Sequence, residues 1–233
     1  MNKIVCKNCN SENDLFRLNC YNCNALLRTR VVNIDLWKTV GRIVENPIKA
    51  FKEIIQAEHK NFIFILLFFL GIKYFANALF FSESVYKVDV INNFIWINWI
   101  VFSGIFFLFV FSFSMLITFV NKSFKIQTRY RDNLSIYIYS FIPQLFALIT
   151  LLPIEFALFG QYWFTKNPEP FVIRPVASYI LFILEIICII WSVLLFILST
   201  FIQTSKIVYS IFIGLISIIL LCGLIFFVPL IVY

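Results

Sequence analysis

Four cysteines open the chain in two pairs, Cys6-x2-Cys9 and Cys20-x2-Cys23. One tight turn holds two thiolates about 4 Å apart, and two such turns brought together set four sulfurs about 2.3 Å from a shared ion. Four protein ligands complete a tetrahedron and leave no position for water, so the chemistry is structural metal binding rather than hydrolysis. Zinc is the expected ion. A rubredoxin-like iron site is the main alternative, since a sulfur tetrahedron also suits iron, and four unligated buried cysteines are the bland one. A module of about 25 residues cannot build a core of its own, so metal binding is expected to drive its folding. Asn10 and Asn24 follow the second cysteine of each pair, where the backbone must turn sharply, and Asn tolerates the left-handed region.

A second set of polar residues lies in apolar surroundings: Lys73, Asn77, Asn98, Glu155 and Glu185. A charged side chain at mid-bilayer costs roughly 2.5–3.5 kcal/mol on insertion scales and is usually paired or lining a cavity. At about 1.5 Å per helical residue, Lys73 falls roughly 17 Å from the inner membrane edge and Glu185 roughly 13 Å from the outer one. Those depths nearly coincide, so Lys73 is expected to pair with Glu185. Asn77 and Asn98 sit shallower and Glu155 near the outer surface, so that the five residues either line an outward-facing polar cavity or fix helix register as structural glue. His59 is the only histidine, at the membrane edge, which leaves a histidine metal site, a Cys-His dyad or a proton relay without material. No phosphate loop, nucleotide fingerprint or H-E-x-x-H occurs, and no enzymatic activity is expected. Cys188 and Cys222 read as small apolar fillers.

The elements that must position these residues are membrane spans. Of 233 residues 61% are hydrophobic, 30 are Phe and only 13% are charged, against roughly 25% charged in soluble domains; mean hydropathy is +0.91. Crossing a hydrocarbon core of about 30 Å takes roughly 20 helical residues. Five stretches qualify, 62–81, 94–120, 134–160, 176–202 and 207–232, and lipid permits only helices there because it offers no partner for backbone amides. Pro143 and Pro153 interrupt the third, as a kink or as an opening of its carbonyls. The fold expected is an all-α polytopic membrane protein, in three parts: a metal module at 1–27, an amphipathic segment at 28–60 and the five-span domain at 61–233.

Charge sets the expected orientation, because cytoplasmic flanks are enriched in Lys and Arg. Residues 1–60 hold Lys3, Lys7, Arg17, Arg28, Arg30, Lys38, Arg42, Lys49, Lys52 and Lys60, and the second connector holds Lys122, Lys125, Arg129 and Arg131. The first connector has only Lys87, and the third only Lys166 and Arg174. An N-terminus in the cytosol, with no signal peptide ahead of it, and a C-terminus outside reconcile all of this. In that reducing compartment paired cysteines hold metal rather than form disulfides. Residues 1–27 carry Lys3, Lys7 and Arg17 against Glu12 and Asp14, which is no basic stripe, so nucleic acid is not an expected partner. Beyond them Leu36, Trp37, Val40, Ile43 and Val44 recur at helical spacing, and Asn46-Pro47 caps a second helix with Ile48, Phe51, Ile54 and Ile55 on one face. These two helices either lie in the inner membrane interface, with Trp37 at headgroup depth, or pack under the bundle.

The run Cys-Lys-Asn-Cys-Asn-Ser-Glu-Asn, then Cys-Tyr-Asn-Cys-Asn-Ala-Leu-Leu, resembles the short zinc ribbons that bacterial membrane and regulatory proteins carry at their N-termini. The remainder, roughly 40–232, resembles the Yip (Ypt-interacting-protein) family of integral membrane proteins. The resemblance rests on Asn46-Pro47-Ile48-Lys49-Ala50-Phe51 leading into five spans, on Asn133 to Pro143 in the third, and on Trp191-Ser192-Val193-Leu194-Leu195-Phe196 in the fourth. It implies a non-enzymatic protein that organises or scaffolds membrane. The Asp-Leu-Tyr-Gly-Pro and Gly-Tyr signatures of eukaryotic members are absent, so GTPase binding is not carried over. The expectation is then a prokaryotic cytoplasmic-membrane protein with the lipid bilayer around it, a protein partner at its cytosolic ribbon and room for an oligomer. A small transporter or channel built on Lys73, Asn77 and Glu185 is the other reading.

Overall fold

Long apolar stretches fold as helices because each backbone amide then finds its partner within the segment. The computed structural model describes residues 3–81, 95–164 and 168–232, with side chains as far as 228. Five helical stretches in it are long and apolar enough to cross a membrane, and the protein is accordingly an integral membrane protein of all-α type with a cysteine cluster near its N-terminus. The first connector, 82–93, lies outside the described residues. Contacts group the chain into two units, Met1–Ile63 with Phe111–Ser140 and Leu194–Gly214, and Phe64–Val110 with Phe141–Val193 and Leu215–Tyr233.

In the first unit a two-stranded antiparallel ladder, β1 (Lys3–Val5) with β2 (Glu12–Asp14), leads to two amphipathic helices, α1 (Leu36–Glu45) and α2 (Pro47–Gln56). Asp35 and Asn46 cap them by accepting the amides of Lys38 and Lys49, and Pro47 opens α2 where its missing N–H costs nothing. Helix α2 buries Ala50, Phe51, Ile54 and Ile55 and packs against α5 (Tyr130–Ser140). Ile48 departs from the expected stripe and stands exposed, with Ala50 in its place. At about 100° per residue it falls about 90° from the centre of the buried face. So α2 packs against α5, whereas Trp37 on α1 is 83% exposed. The apolar centre of the unit joins α4 (Ile95–Ser123), α5 and α8 (Pro175–Thr204) through Phe113, Tyr137 and Phe196, with Tyr137 edge-on to Phe196 at 4.9 Å. Gly214 on α9 (Ile207–Val232) faces Ile197 so closely that no Cβ would fit.

In the second unit α3 (Ile63–Phe81) and α6 (Ile142–Phe159) pack with the early part of α8 around Phe80, Ala147, Leu151, Phe159, Trp163 and Leu181. The third span is two helices. Helix α5 ends at Ser140, Phe141 breaks the pattern (φ −90°, ψ 14°), and α6 restarts with Pro143 in its first turn, where a missing amide is tolerated. Pro153 lies inside α6, which continues through it. The third connector is more ordered than a loop: a 3₁₀ turn, Gly160–Phe164, and a short α7 (Pro170–Ile173) occupy it. Gly160 takes φ +59° there, and Trp163 is buried on Phe80 and Phe159, with ring centroids 5.3 and 5.2 Å away.

Candidate functional site

Two tight turns, built alike, bring the cysteine quartet together. In each, the amide two residues after the last Xaa closes back on the first cysteine: Asn10 N–H to the Cys6 carbonyl at 2.9 Å and Asn24 N–H to the Cys20 carbonyl at 3.1 Å. The Cys6 and Cys20 amides in turn donate to the carbonyls of Ser11 and Ala25, both at 2.9 Å. Asn10 and Asn24 sit at φ 54° and 61°, in the left-handed region that Asn tolerates. The four sulfurs all lie within 4.8 Å of one another, with Cys6–Cys23 and Cys9–Cys20 at 3.5 Å. Those separations are far beyond a disulfide bond of about 2.05 Å and close to the edge of about 3.8 Å that a sulfur tetrahedron around one ion requires. The quartet therefore fits a metal with all four positions supplied by protein.

Two polar residues that the cysteine spacing does not reveal tie the turns together. Ser11 Oγ lies 3.0 Å from both Cys9 Sγ and Cys20 Sγ. The Asn13 side chain is buried; it donates to the Ser11 carbonyl and to Cys20 Sγ and accepts the Tyr21 amide at 2.9 Å. Burial opposes ionising Cys20, but hydrogen bonds from Ser11, from the Cys23 and Asn22 amides and from Asn13 outweigh it and draw the thiol down to about 5. A thiol held that low is a thiolate at neutral pH, the form a metal binds. The Ala25 amide favours ionised Cys23, yet the crowding sulfur of Cys9, burial and Cys6 outweigh it and push Cys23 up to about 11. One sulfur pulled down and its neighbour pushed up is what crowded thiols do, and a cation at their centre relieves it.

The module is clamped to the rest of its unit. Arg28 donates to the carbonyls of Phe16 and Arg17 and, at 2.8 Å, to that of Gln56 at the end of α2. Arg129 stacks over the Phe16 ring at 4.6 Å, grips Asp132 through two nitrogens and reaches the Ile55 carbonyl. Lys60 pairs with Asp132 at 3.0 Å and donates to the carbonyls of Ile54 and Ile55. Three cations thus converge on the carbonyl end of α2, where the helix dipole favours positive charge. Burial holds Lys60 below its ordinary pKa against the opposing pull of Asp132. No protein-family model, curated protein or solved structure matches the chain.

The intramembrane residues gather only in part. Lys73, 1% exposed on α3, donates to Glu185 Oε1 on α8 at 2.5 Å. Asn77, Glu155 and Glu185 share the wall of one cavity of about 80 Å³ with Trp163 and Phe80. Glu155 is buried, at 2% exposure. Asn98 is buried in α4 and is not among the residues that line the cavity. His59 is exposed and its amide bonds the Val32 carbonyl. Cys188 packs partly buried against the core of its unit, but Cys222 stands exposed on α9 and fills nothing.

Proposed function

We propose that this protein is a non-enzymatic membrane-organising or scaffold protein of Yip type whose ribbon, folded on zinc, recruits a protein partner at the cytosolic face of a prokaryotic membrane. The observation that carries this reading is the clamp: a closed sulfur quartet with no coordination position left for a substrate, held in place by Phe16, Arg28 and Arg129. A module fixed in this way presents its outer surface in one orientation. That surface carries exposed Val5, Tyr21 and Leu26 and little net charge, which suits a protein partner better than phosphates. Zinc is favoured over iron because sulfur ligation without redox demands is its commonest structural use. Elemental analysis of purified protein separates the two, and an iron site would also colour it.

In-cell crosslinking followed by capture tests the partner. A Tyr21→Ser/Leu26→Ser double variant keeps all four ligands, so metal content stays unchanged while the crosslinked species is expected to disappear. An identical crosslinking pattern in wild type and variant sinks the reading.

The second reading, a small transporter or channel, is supported by one observation, the carboxylate-lined cavity beside Lys73. Ion or solute flux in proteoliposomes that persists in wild type and stops when Lys73 and Glu185 are both made apolar would favour it over the scaffold.

A further inference from the structure

The cavity at which α3 and α6 end and α8 begins has an unsettled charge balance. Its polar wall is Asn77, Glu155 and Glu185, and its apolar wall includes Phe80 and Trp163. Lys73 satisfies Glu185 Oε1 and nothing else among the two carboxylates. Glu185 Oε2 and Glu155 Oε1 are buried and have no hydrogen-bond partner among the described residues. Glu155 lies within Coulombic reach of both Lys73 and Glu185. Lys73 is the only charged residue of α3, Glu155 of α6 and Glu185 of α8. Cys188, one turn along α8, is the remaining titratable neighbour, and the 3₁₀ turn adds only Trp163 and Phe164 to the wall.

Two carboxylates against one ammonium leave one negative charge in surroundings that penalise an unpaired ion heavily. A single positive charge closes that balance, whereas a divalent cation would overshoot it. The volume agrees. One water needs about 10–15 Å³ on this measure, so about 80 Å³ admits a small ion with a few waters, well short of the roughly 300–1,000 Å³ of sites for larger organic ligands. The oxygens offered, carboxylate and amide, are the hard donors that alkali ions and protons take.

We infer that Glu155, with Asn77 and Glu185 beside it, binds one monovalent cation, a proton or an alkali ion. The site needs only the cavity, and it stands whether or not anything crosses the membrane and whether or not the ribbon recruits a partner. The full chain in lipid nanodiscs tests it in two arms. In the first, sodium chloride is exchanged for choline chloride at constant pH and ionic strength while thermal unfolding is followed. In the second, pH is stepped at constant sodium and the protonated-carboxyl stretch is read by infrared difference spectroscopy.

A sodium-dependent rise of several degrees in the midpoint that is absent in Glu155→Gln identifies an alkali ion. No sodium response, together with a carboxyl band that Glu155→Gln removes, identifies a proton. Should Glu155→Gln not fold, Glu155→Asp keeps the charge but withdraws it by one methylene, and at least a tenfold weaker sodium response or a displaced carboxyl titration is expected. If neither arm depends on residue 155, the inference is overturned.

Discussion

Asn24 shows how far a single residue can be pushed. Its φ of 61° is open to Gly and tolerable to Asn, but a β-branched side chain there clashes with the backbone at a cost of roughly 1–2 kcal/mol. Asn24→Gly should leave metal affinity nearly unchanged, and Asn24→Val should weaken it about tenfold, read from the chelator concentration that strips half the metal. Cys20→Ser removes a ligand outright and is expected to abolish stoichiometric metal by elemental analysis. Lys73 and Glu185 answer to a different rule. Removing one partner of a buried ion pair strands the other, typically at about 3–5 kcal/mol, whereas replacing both with apolar side chains is often neutral. Lys73→Met should therefore lower the unfolding midpoint markedly and Lys73→Met/Glu185→Leu should recover most of it; a double variant no better than the single refutes a simple pair.

The joint where ribbon, α2 and α5 meet works at the level of elements. Phe16 gives its backbone carbonyl to Arg28 and its ring to Arg129, so Phe16→Ala removes the ring contact and leaves the carbonyl bond in place. A cation–π contact is worth about 0.5–2 kcal/mol, enough to multiply by several-fold the fraction of molecules with the ribbon detached. Limited proteolysis within 28–35 should quicken accordingly, with metal content unchanged; equal cleavage rates would show that the clamp contributes nothing. Arg30 and Glu58 hold the same segment from its other side. The side-chain hydrogen bond from Arg30 holds the Glu58 carboxyl below its ordinary value of 4.5. Its contribution is present above that value and is lost as pH falls through the lower, folded one. As an exposed pair it is worth little, so Arg30→Ala should cleave slightly faster than wild type near neutrality and identically in acid.

At the scale of the whole chain, the proposed orientation rests on five membrane-length stretches with basic residues concentrated before the first span and between the second and third. A cysteine introduced into 82–93 should react with a membrane-impermeant thiol reagent applied to intact cells, while one introduced near Lys125 should react only after the membrane is opened. The reverse pattern overturns the proposed orientation. Within each unit the helices approach one another through specific shapes, as at Gly214 against Ile197, and through polar links such as Tyr209 Oη donating to Asn121 Oδ1 at 2.6 Å, the means by which helices associate where lipid removes the hydrophobic driving force.

The cysteine spacing alone determined the two sulfur pairs, because a C-x2-C turn is a local structure that needs nothing from the rest of the fold, and it pointed to the quartet they form together. Hydropathy likewise determined five spans, since bilayer thickness sets the length a span needs whatever it packs against. An interruption of the third span at Pro143 was legible for the same local reason, but the same expectation at Pro153 was not met, since α6 continues through it. Only tertiary structure decided that Ser11 and Asn13 brace the sulfurs, that Phe16 meets Arg129 across 113 positions of sequence, and that Ile48 faces outward while Ala50 packs. Depth along a helix placed Lys73 and Glu185 at one level, but helix rotation is set by neighbouring side chains, and it is rotation that turns Glu155 into the cavity and leaves Asn98 out of its wall. Spacing along a chain fixes what one turn of backbone can reach, and the rest depends on which faces meet.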